Sequence, residues 1–402
     1  MQQELDTKKG IFMTIKPSTA PVLSDIDGLS ALERAKRNEL MLGLFLPIQS
    51  CGWSPSVAPR TTTWHFDYNA RLAVRADELG FDLTFGLAIW TNKGGLGGKV
   101  NYWETTLDPL ITVAGMAPLT NNLMLISTVH ILYGWHPLHV AKFGATLSHM
   151  SQGRWGLNIV TGYLSGEFQK FGKSQIDHDL RYVMADEFTD QMKRLWDADD
   201  NVSVEGAYWR MENAFCTPKP AAGHPILVSA ASSLAGIEFA TKHCDLIFVT
   251  SPAGADIEAA LEAFPAHTAT IREAAARHGR EVKIIVNPLI ICRDTEKEVN
   301  EIHRRIVEAG DLEAAEGIMK SQRTGDQKSW RGHQINQRIV GGNIQMFGTP
   351  KQVVEWCIRL RKAGIDGIHL SFFDFAPDLE YFGANVLPLL KQAGLRTATP
   401  SG

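Results

Sequence analysis

A closed barrel of eight parallel strands that alternate with helices, a (β/α)8 TIM barrel, is the fold predicted by this sequence of 402 residues. The sequence contains eight short runs of apolar residues, and such runs form strands that are buried on both faces of a parallel sheet. Enough chain for a crossover helix lies between successive runs. No GxGxxG turn opens a helix after the first run, which disfavours the alternative, an open Rossmann-like sheet with a cap domain.

The predicted strands and helices alternate through most of the chain. The strands are expected at residues 42–47, 82–89, 123–129, 155–161, 226–229, 246–250, 283–292 and 367–372. The helices are expected at residues 66–79, 110–118, 138–150, 180–196, 233–242, 256–279, 352–363 and 379–392. Helical spacing of apolar residues supports these assignments, and the turn residue Gly206 predicts a small hairpin at 202–210.

Two segments depart from the alternation. Residues 1–35 are expected to form a polar N-terminal leader, so that the barrel domain spans residues 36–395. Residues 309–346 combine two helical patches with a polar, glycine-rich stretch that is longer than a barrel crossover needs, and such insertions are usually functional or disordered. We expect a lid near 309–346 in which Arg331, His333 and Arg338 contact a polar or anionic substrate. A solvated polar loop is the alternative.

Composition and charge exclude several classes of function. The formal net charge is −4 and no basic stripe is present, which argues against nucleic acids and anionic membrane surfaces as partners. The longest apolar runs are shorter than the roughly 18 residues of a membrane span. The five cysteines are scattered without a CxxC pair. This pattern predicts no metal site, no disulfide framework and a cytoplasmic location.

The active site of such a barrel lies where the strands end, and the residues there are mainly amides, hydroxyls and aromatic rings. Acid–base or nucleophile motifs are missing, so the set suits a planar cofactor that carries the chemistry itself. His130 follows the third strand and is a candidate acid or base, the alternative being a histidine bound to a loop carbonyl. Trp53 and Trp90, with Trp103, are candidates for an apolar wall that excludes water, although tryptophan also packs in ordinary cores.

The most informative segment is NIVTGYLSGEFQKFGKSQIDHDLRY, residues 158–182. It contains a strand end, a loop and a helix start that Asp177 or Asp179 could cap. Arg181 falls in the first helical turn, where a cation opposes the helix dipole. A bound phosphate would remove this conflict. A surface ion pair between Arg181 and Asp177 or Glu187 is an equally good interpretation.

These residues also carry a resemblance to a known family. The matching motifs are LGLFLPIQSCGW, GLGGKVNYWETTLDPL, GRWGLNIVTGYLSGEFQKFG, HDLRY and FGTPKQVVEW with GIDGIHLSF and YFGANVLPLL. They span roughly residues 41–395, and the chain resembles the bacterial luciferase-like monooxygenases that use reduced FMN. Within that family it is most similar to the pyrimidine and dimethyl sulfone enzymes.

The resemblance implies a role for individual residues. Asn158 would lie beside the flavin ring near O2, with Glu167 in the same cleft and Ala88 and Ile89 against the ring. The residues that would hold the phosphate or ribityl end are Arg181, Tyr182 and Ser233. Two departures concern the chemistry. The pyrimidine and sulfone types carry a Lys and an Arg, respectively, in the pair that is Ala88–Ile89 here. The threonine that the pyrimidine type uses near O2 aligns with Val129, one residue from Thr128.

The function implied is a two-component monooxygenase that takes reduced FMN from a separate flavin reductase and uses O2 on a small organic substrate. Cleavage of a C–S bond in a sulfone or sulfonate is the preferred chemistry. The alternatives are ring opening of a pyrimidine at a C–N bond, an F420-dependent oxidoreductase on the same scaffold, and a non-catalytic or light-emitting flavin-binding barrel. A homodimer or homotetramer is expected.

Overall fold

A computed structural model describes residues 28–162, 164, 166–324, 334–342 and 344–397, without the side chains of 322–324. The strands are β1 (Met41–Leu46), β2 (Leu83–Gly86), β3 (Met124–His130), β4 (Trp155–Val160), β5 (Val202–Glu205), β6 (Arg210–Ala214), β7 (Ile226–Ala230), β8 (Leu246–Val249), β9 (Lys283–Val286), β10 (Pro288–Cys292), β11 (Ile344–Gly348) and β12 (Gly367–Phe372).

The helices surround these strands. They are α1 (Ala31–Lys36), α2 (Phe66–Glu78), α3 (Pro109–Met116), α4 (Pro137–Met150), α5 (Glu167–Lys170), α6 (His178–Asp197), α7 (Leu234–His243), α8 (Ile257–Arg277), α9 (Glu296–Glu308), α10 (Leu312–Thr324), α11 (Ile335–Val340), α12 (Pro350–Lys362), α13 (Phe375–Asn385) and α14 (Leu387–Gln392). Two 3-10 turns follow α3 and β3, at Ala117–Leu119 and Ile131–Tyr133. None of these described helices has both the length and the apolar character needed to cross a bilayer.

Eight strands close into the barrel in the order β1-β2-β3-β4-β7-β8-β9-β12, and β12 pairs again with β1. All these pairings are parallel; Met41 lies opposite Gly367 where the barrel closes. The predicted (β/α)8 barrel is therefore confirmed. The strands β5 and β6 form the separate hairpin expected at 202–210.

Several details differ from the sequence expectation. The run at 283–292 divides at Asn287 into β9 and β10, and β11 adds to β10 outside the barrel. Helix α9, which begins with a capping box of Thr295 and Glu298, was not predicted. The helix expected at 379–392 is two helices, α13 and α14. The described end of the expected leader holds the short helix α1, capped by Ser30.

The barrel core has two layers. Inside it, Phe85, Phe248 and Ile126 belong to a buried apolar cluster, while a larger cluster packs between the strands and the helices. At the end where the strands begin, Asp82 pairs with the buried Arg396 and joins the chain's last described residues to β2. The opposite end, where the strands finish, is left for a cavity.

Candidate active site

A cavity of about 810 Å³ lies at the C-terminal ends of the barrel strands. Its floor is aromatic, with Phe45, Phe85 and Phe248 from three strands, and its rim comes from the loops that follow the strands. This is the end of a (β/α)8 barrel at which active sites lie.

Asn158 on β4 lies in this cavity and is 4% exposed. Its amide nitrogen donates to the hydroxyl of Thr128 at 3.1 Å, and Thr128 donates to the carbonyl of Gly86 at 2.9 Å. The Asn158 Oδ1 atom is buried and accepts no hydrogen bond within the described structure. A buried acceptor of this kind is costly unless a ligand supplies a donor.

Thr128, and not Val129, lines the cavity. Consecutive residues of β3 point to opposite sides of the sheet. Thr128 and His130 therefore point into the cavity, while Val129 is buried in the outer apolar core. The position that aligns with the family's threonine thus carries a core valine, and a threonine hydroxyl is supplied from the neighbouring residue.

Arg181, Tyr182 and Ser233 line one end of the cavity. Asp177 caps α6 by accepting from the backbone N–H groups of Asp179 and Leu180. Arg181 is 1% exposed and donates to the carbonyl of Gly162, so the surface ion pair considered above is not formed. Burial raises the pKa of the Tyr182 phenol, which also hydrogen-bonds Ser233.

Ser233 is the N-cap of α7, and its hydroxyl accepts from the Gly236 N–H at 3.1 Å. Helix N-termini carry partial positive charge and unpaired N–H groups, which suit an anion. A guanidinium, a phenol, two serine hydroxyls (Ser232 and Ser233) and this helix end face the same part of the cavity. The donor set matches the requirements of a phosphate group.

His130 lies in the cavity wall, 3% exposed, with Nε2 at 3.1 Å from the carbonyl of Ala88. A carbonyl can only accept, so this nitrogen carries the proton of the neutral ring. Burial lowers the pKa of His130 to about 4. The histidine is therefore neutral near pH 7 and acts there as a fixed hydrogen-bonding group. His130 therefore lies in the cavity and is also bound to a loop carbonyl, so both interpretations of its position apply.

Glu167 does not line the cavity, although the resemblance placed it in the cleft. It lies behind His130, 1% exposed, and accepts from the Tyr133 hydroxyl at 2.5 Å and from the Trp90 backbone N–H at 2.9 Å. His130 Nδ1 is 3.7 Å from a Glu167 oxygen. Burial raises the pKa of the Glu167 carboxyl. Glu167 positions the wall of the site from outside.

The aromatic wall contains two of the three tryptophans that were expected to form it. Trp53 and Trp103 line the cavity with ring centroids 5.7 Å apart. Trp90 is 45% exposed and packs on Phe171 outside the cavity, so its assignment to the wall was wrong. Of the pair expected against a flavin ring, Ala88 lines the cavity and Ile89 is buried away from it.

Two of the lid residues cannot be placed, because Arg331 and His333 lie outside the described residues. The flanking parts of the insertion do reach the site: α10 contributes Ile318 and Ser321, and α11 contributes Arg338. Sequence reasoning did not single out Tyr133 or Tyr102. Tyr133 ends the 3-10 turn that follows β3, so its position after a strand was a usable signal. Tyr102 lies in a loop without regular spacing, where the family motif marked the segment but not this residue.

One group of side chains among the described residues has the composition of a metal site: Asp186, Asp190 and His243. Lys242 Nζ lies 2.7 Å from Asp186 and 3.6 Å from Asp190, and Lys193 Nζ lies 3.3 Å from His243 Nδ1. The two ammonium groups supply the positive charge that a metal would bring. We therefore interpret this cluster as an ion-pair network between α6 and α7.

Comparison with known proteins identifies the family. The model of the luciferase-like monooxygenase family matches residues 41–367. The chain belongs to the luciferase-like monooxygenase family. It is 30% identical over 365 residues to the FMNH2-dependent dimethylsulfone monooxygenase of Pseudomonas putida, covering 86% of this chain and 96% of that protein. It is 29% identical over 366 residues to the pyrimidine monooxygenase of Acinetobacter baylyi, covering 87% and 95%.

Solved structures of several enzymes share the fold. A long-chain alkane monooxygenase matches with a TM-score of 0.77 and 22% identity, covering 90% of this chain and 94% of that one. A riboflavin lyase matches with a TM-score of 0.75 and 23% identity, with the same coverage. An F420-dependent secondary alcohol dehydrogenase matches with a TM-score of 0.62 and 17% identity, covering 89% and 99%. At these identities the likeness concerns the fold alone.

Proposed function

We propose that this luciferase-like monooxygenase binds reduced FMN, delivered by a separate flavin reductase, and uses O2 to oxygenate a small organic substrate. The observation that carries the proposal is the pairing of two features in one cavity: the phosphate-type donor set around Arg181 and the unsatisfied acceptor of Asn158. The reduced-FMN dependence of the 30% identical relative supports it.

The phosphate end would be held by Arg181, Tyr182 and Ser233. Arg181 is fixed before any ligand arrives, because its guanidinium donates to the Gly162 carbonyl and its side chain is enclosed. Pre-organised donors lose little entropy on binding. The N–H groups at the start of α7 add the favourable end of the helix dipole.

The ring end would meet Asn158. The Oδ1 atom suits an N–H donor, and a reduced flavin ring carries such donors. The Thr128 hydroxyl holds the amide of Asn158 in this orientation. Reduced FMN, when bound, supplies the two electrons with which one atom of O2 leaves as water while the other enters the substrate. The aromatic wall and floor keep bulk water away from this chemistry.

The substrate chemistry we propose is cleavage of a C–S bond in a sulfone or sulfonate, supported by the dimethylsulfone relative. Oxygen would enter at the carbon, and the sulfur would leave as sulfinate or sulfite. The second candidate is ring opening of a pyrimidine, supported by the 29% identical relative. The five free thiols, four of them buried, support the cytoplasm as the compartment. We also propose a homodimer or homotetramer.

An aerobic assay tests the proposal. The protein is mixed with FMN, a flavin reductase and NADH, and separate reactions receive sulfones, sulfonates or uracil. Substrate-dependent release of sulfite or sulfinate supports C–S cleavage, and consumption of uracil supports the second candidate. No oxygenated product from any of them contradicts both substrate proposals. Turnover that continues without O2 contradicts the monooxygenase and favours hydride transfer.

A further inference from the structure

We propose that Arg338 forms a second anion subsite and that the substrate carries an oxyanion, a carboxylate or sulfonate, on an apolar body. The inference rests on the proposed function and extends it, because it concerns the part of the cavity left for the substrate. Among the described residues that line the cavity, Arg181 and Arg338 are the lysine or arginine side chains. Arg181 belongs to the phosphate end.

The two arginines lie at opposite sides of the barrel mouth. Arg181 and Ser233 follow β4 and β7, the fourth and fifth strands in barrel order. Helix α11, which carries Arg338, lies over the loop that follows β1: the Ser54 hydroxyl donates to the Ile339 carbonyl at 2.6 Å. The phosphate donors around Arg181 and the Arg338 guanidinium would therefore bind two different ligand groups, the flavin phosphate and an oxyanion of the substrate.

The surroundings of Arg338 are apolar. Trp53, Tyr102 and Trp103 line this side of the cavity together with Leu96 and Ile318. The acidic side chain among the described lining residues, Asp179, lies at the other end beside Arg181. The apolar wall around Arg338 would accommodate a hydrocarbon or aromatic body.

Arg338 is suited to an oxyanion more than to a neutral oxygen. The residue is 6% exposed, and burial lowers the pKa of its guanidinium to about 10, so it stays protonated near pH 7. A planar guanidinium donates two parallel hydrogen bonds to a carboxylate or sulfonate, and such charge-assisted bonds are about twice as strong as neutral ones. A sulfone or uracil offers only neutral acceptors.

The backbone at the end of α11, which carries Arg338, is held by close contacts. The Gly341 position after α11 leaves no room for a Cβ, which would lie 2.1 Å from the Trp53 carbonyl oxygen. Gln345 donates to the carbonyls of Gln337 and Gly341 at 3.1 and 3.2 Å, which closes the end of α11 onto β11. A rigid support of this kind is what a specificity-determining side chain needs.

The test is an anaerobic calorimetric titration in which reduced FMN is present at saturating concentration, so that the phosphate end is filled. The ligands are octanoate, octanesulfonate and octanamide, the last being a neutral isostere of octanoate. We expect the parent protein to bind at least one of the two anions about tenfold or more tightly than octanamide. In Arg338→Gln this preference should fall to about one, and Arg338→Lys should keep part of it.

Arg304→Gln is the matched control, because Arg304 is exposed on α9 and pairs with Glu301 and Glu308. It should leave the preference unchanged. Equal binding of octanamide and both anions by the parent protein would overturn the inference without needing any variant. An unchanged preference in Arg338→Gln would also overturn it. Failure of FMN to bind in the same experiment would instead count against the proposed function.

Discussion

The amide nitrogen of Asn158 donates a hydrogen bond to Thr128 Oγ1 at 3.1 Å, and Thr128 donates onward to Gly86 at 2.9 Å. This chain of donors crosses three adjacent barrel strands, β4, β3 and β2. Because the amide nitrogen is engaged by Thr128, the Oδ1 atom is the one left for a ligand. The hydroxyl of Thr128 thus determines which atom of Asn158 the site presents.

Removing the Thr128 hydroxyl should disorder this arrangement. In Thr128→Val the Asn158 amide loses its acceptor and can turn its nitrogen toward the cavity. The loss of one buried hydrogen bond, about 1–1.5 kcal/mol, corresponds to roughly tenfold in kcat/KM. Thr128→Ser keeps the hydroxyl and should stay within about threefold of the parent. Equal losses of kcat/KM in the two variants, measured in the reductase-coupled assay, would disprove the role given to the hydroxyl.

Two buried histidines should make the protein sensitive to acid. Burial lowers the pKa of His130 to about 4 and that of His369 to about 3, while an unfolded chain binds these protons near pH 6.5. The folded state therefore gains no proton where the unfolded state does. The free energy of unfolding is therefore not reduced by these histidines above about pH 7. It decreases as the pH falls below about 6.5, by about 1.4 kcal/mol per pH unit for each histidine.

The variant His369→Phe removes the contribution of one of these two histidines to the pH dependence of unfolding. The imidazole of His369 stacks on Phe85 with centroids 4.1 Å apart, so a phenyl ring has a similar place to occupy. Urea unfolding at pH 7.5 and 5.0 gives the loss of unfolding free energy on acidification. That loss should be about 2 kcal/mol smaller in His369→Phe than in the parent. The same loss in both proteins would show that His369 is not kept neutral by the fold.

The contact between α10 and the loop before Tyr102 depends on a glycine. A Cβ at Gly317 would lie 1.8 Å from the Leu96 carbonyl oxygen, so backbone must move in Gly317→Ala. We expect a lower unfolding temperature by a few degrees, from about 1–3 kcal/mol of strain. The matched control is Gly115→Ala on α3, where the atoms met belong to the partly exposed Phe66 ring. There the better helix propensity of alanine, about 1 kcal/mol, should keep or raise the unfolding temperature.

If both glycine variants unfolded at the parent's temperature, the close packing of α10 on this loop would not be important for stability. A selective effect on Gly317→Ala would also connect the insertion to the aromatic wall. Ile318, the next residue, lines the cavity beside Trp103 and Tyr102.

The barrel could be predicted from sequence because parallel strands are buried on both faces and appear as continuous apolar runs. The alternation of side chains along β3 likewise separates Thr128 and His130 from Val129. Strand β11 and helix α9 were missed. Residues 344–348 were partly assigned to the insertion, and the amphipathic α9 has many charges, with Val299 and Ile306 as its buried residues.

The errors in the site have a common physical origin. Strand β2 ends at Gly86, three residues earlier than predicted, so alternation no longer fixes the direction of Trp90 and its ring turns to the surface. Glu167 depends on the path of the loop after β4, which brings its carboxylate to Tyr133 and to the Trp90 backbone. Contacts between loops are not encoded in local spacing, whereas helix caps such as Asp177 and Ser233 are.

The most direct test of the central claim is an anaerobic titration of the protein with reduced FMN and with reduced riboflavin, which lacks the phosphate. The parent should bind reduced FMN at least about tenfold more tightly than reduced riboflavin, as expected for a charge-assisted contact. Arg181→Met should remove most of this difference, and the smaller part that remains would come from Tyr182, Ser233 and the start of α7. Because Arg181 also donates to the Gly162 carbonyl, its loss can disturb the loop as well as the phosphate contact. A disturbed loop would weaken the binding of both flavins, whereas a lost phosphate contact weakens only that of reduced FMN.

Arg210→Met serves as the control, since Arg210 is exposed and pairs with Glu205 on the hairpin. It should keep the parent's preference for reduced FMN. The account predicts a tenfold or larger preference in the parent and control, and a much smaller one in Arg181→Met. An Arg181→Met protein that still prefers reduced FMN to the same extent would contradict the assignment of the phosphate site.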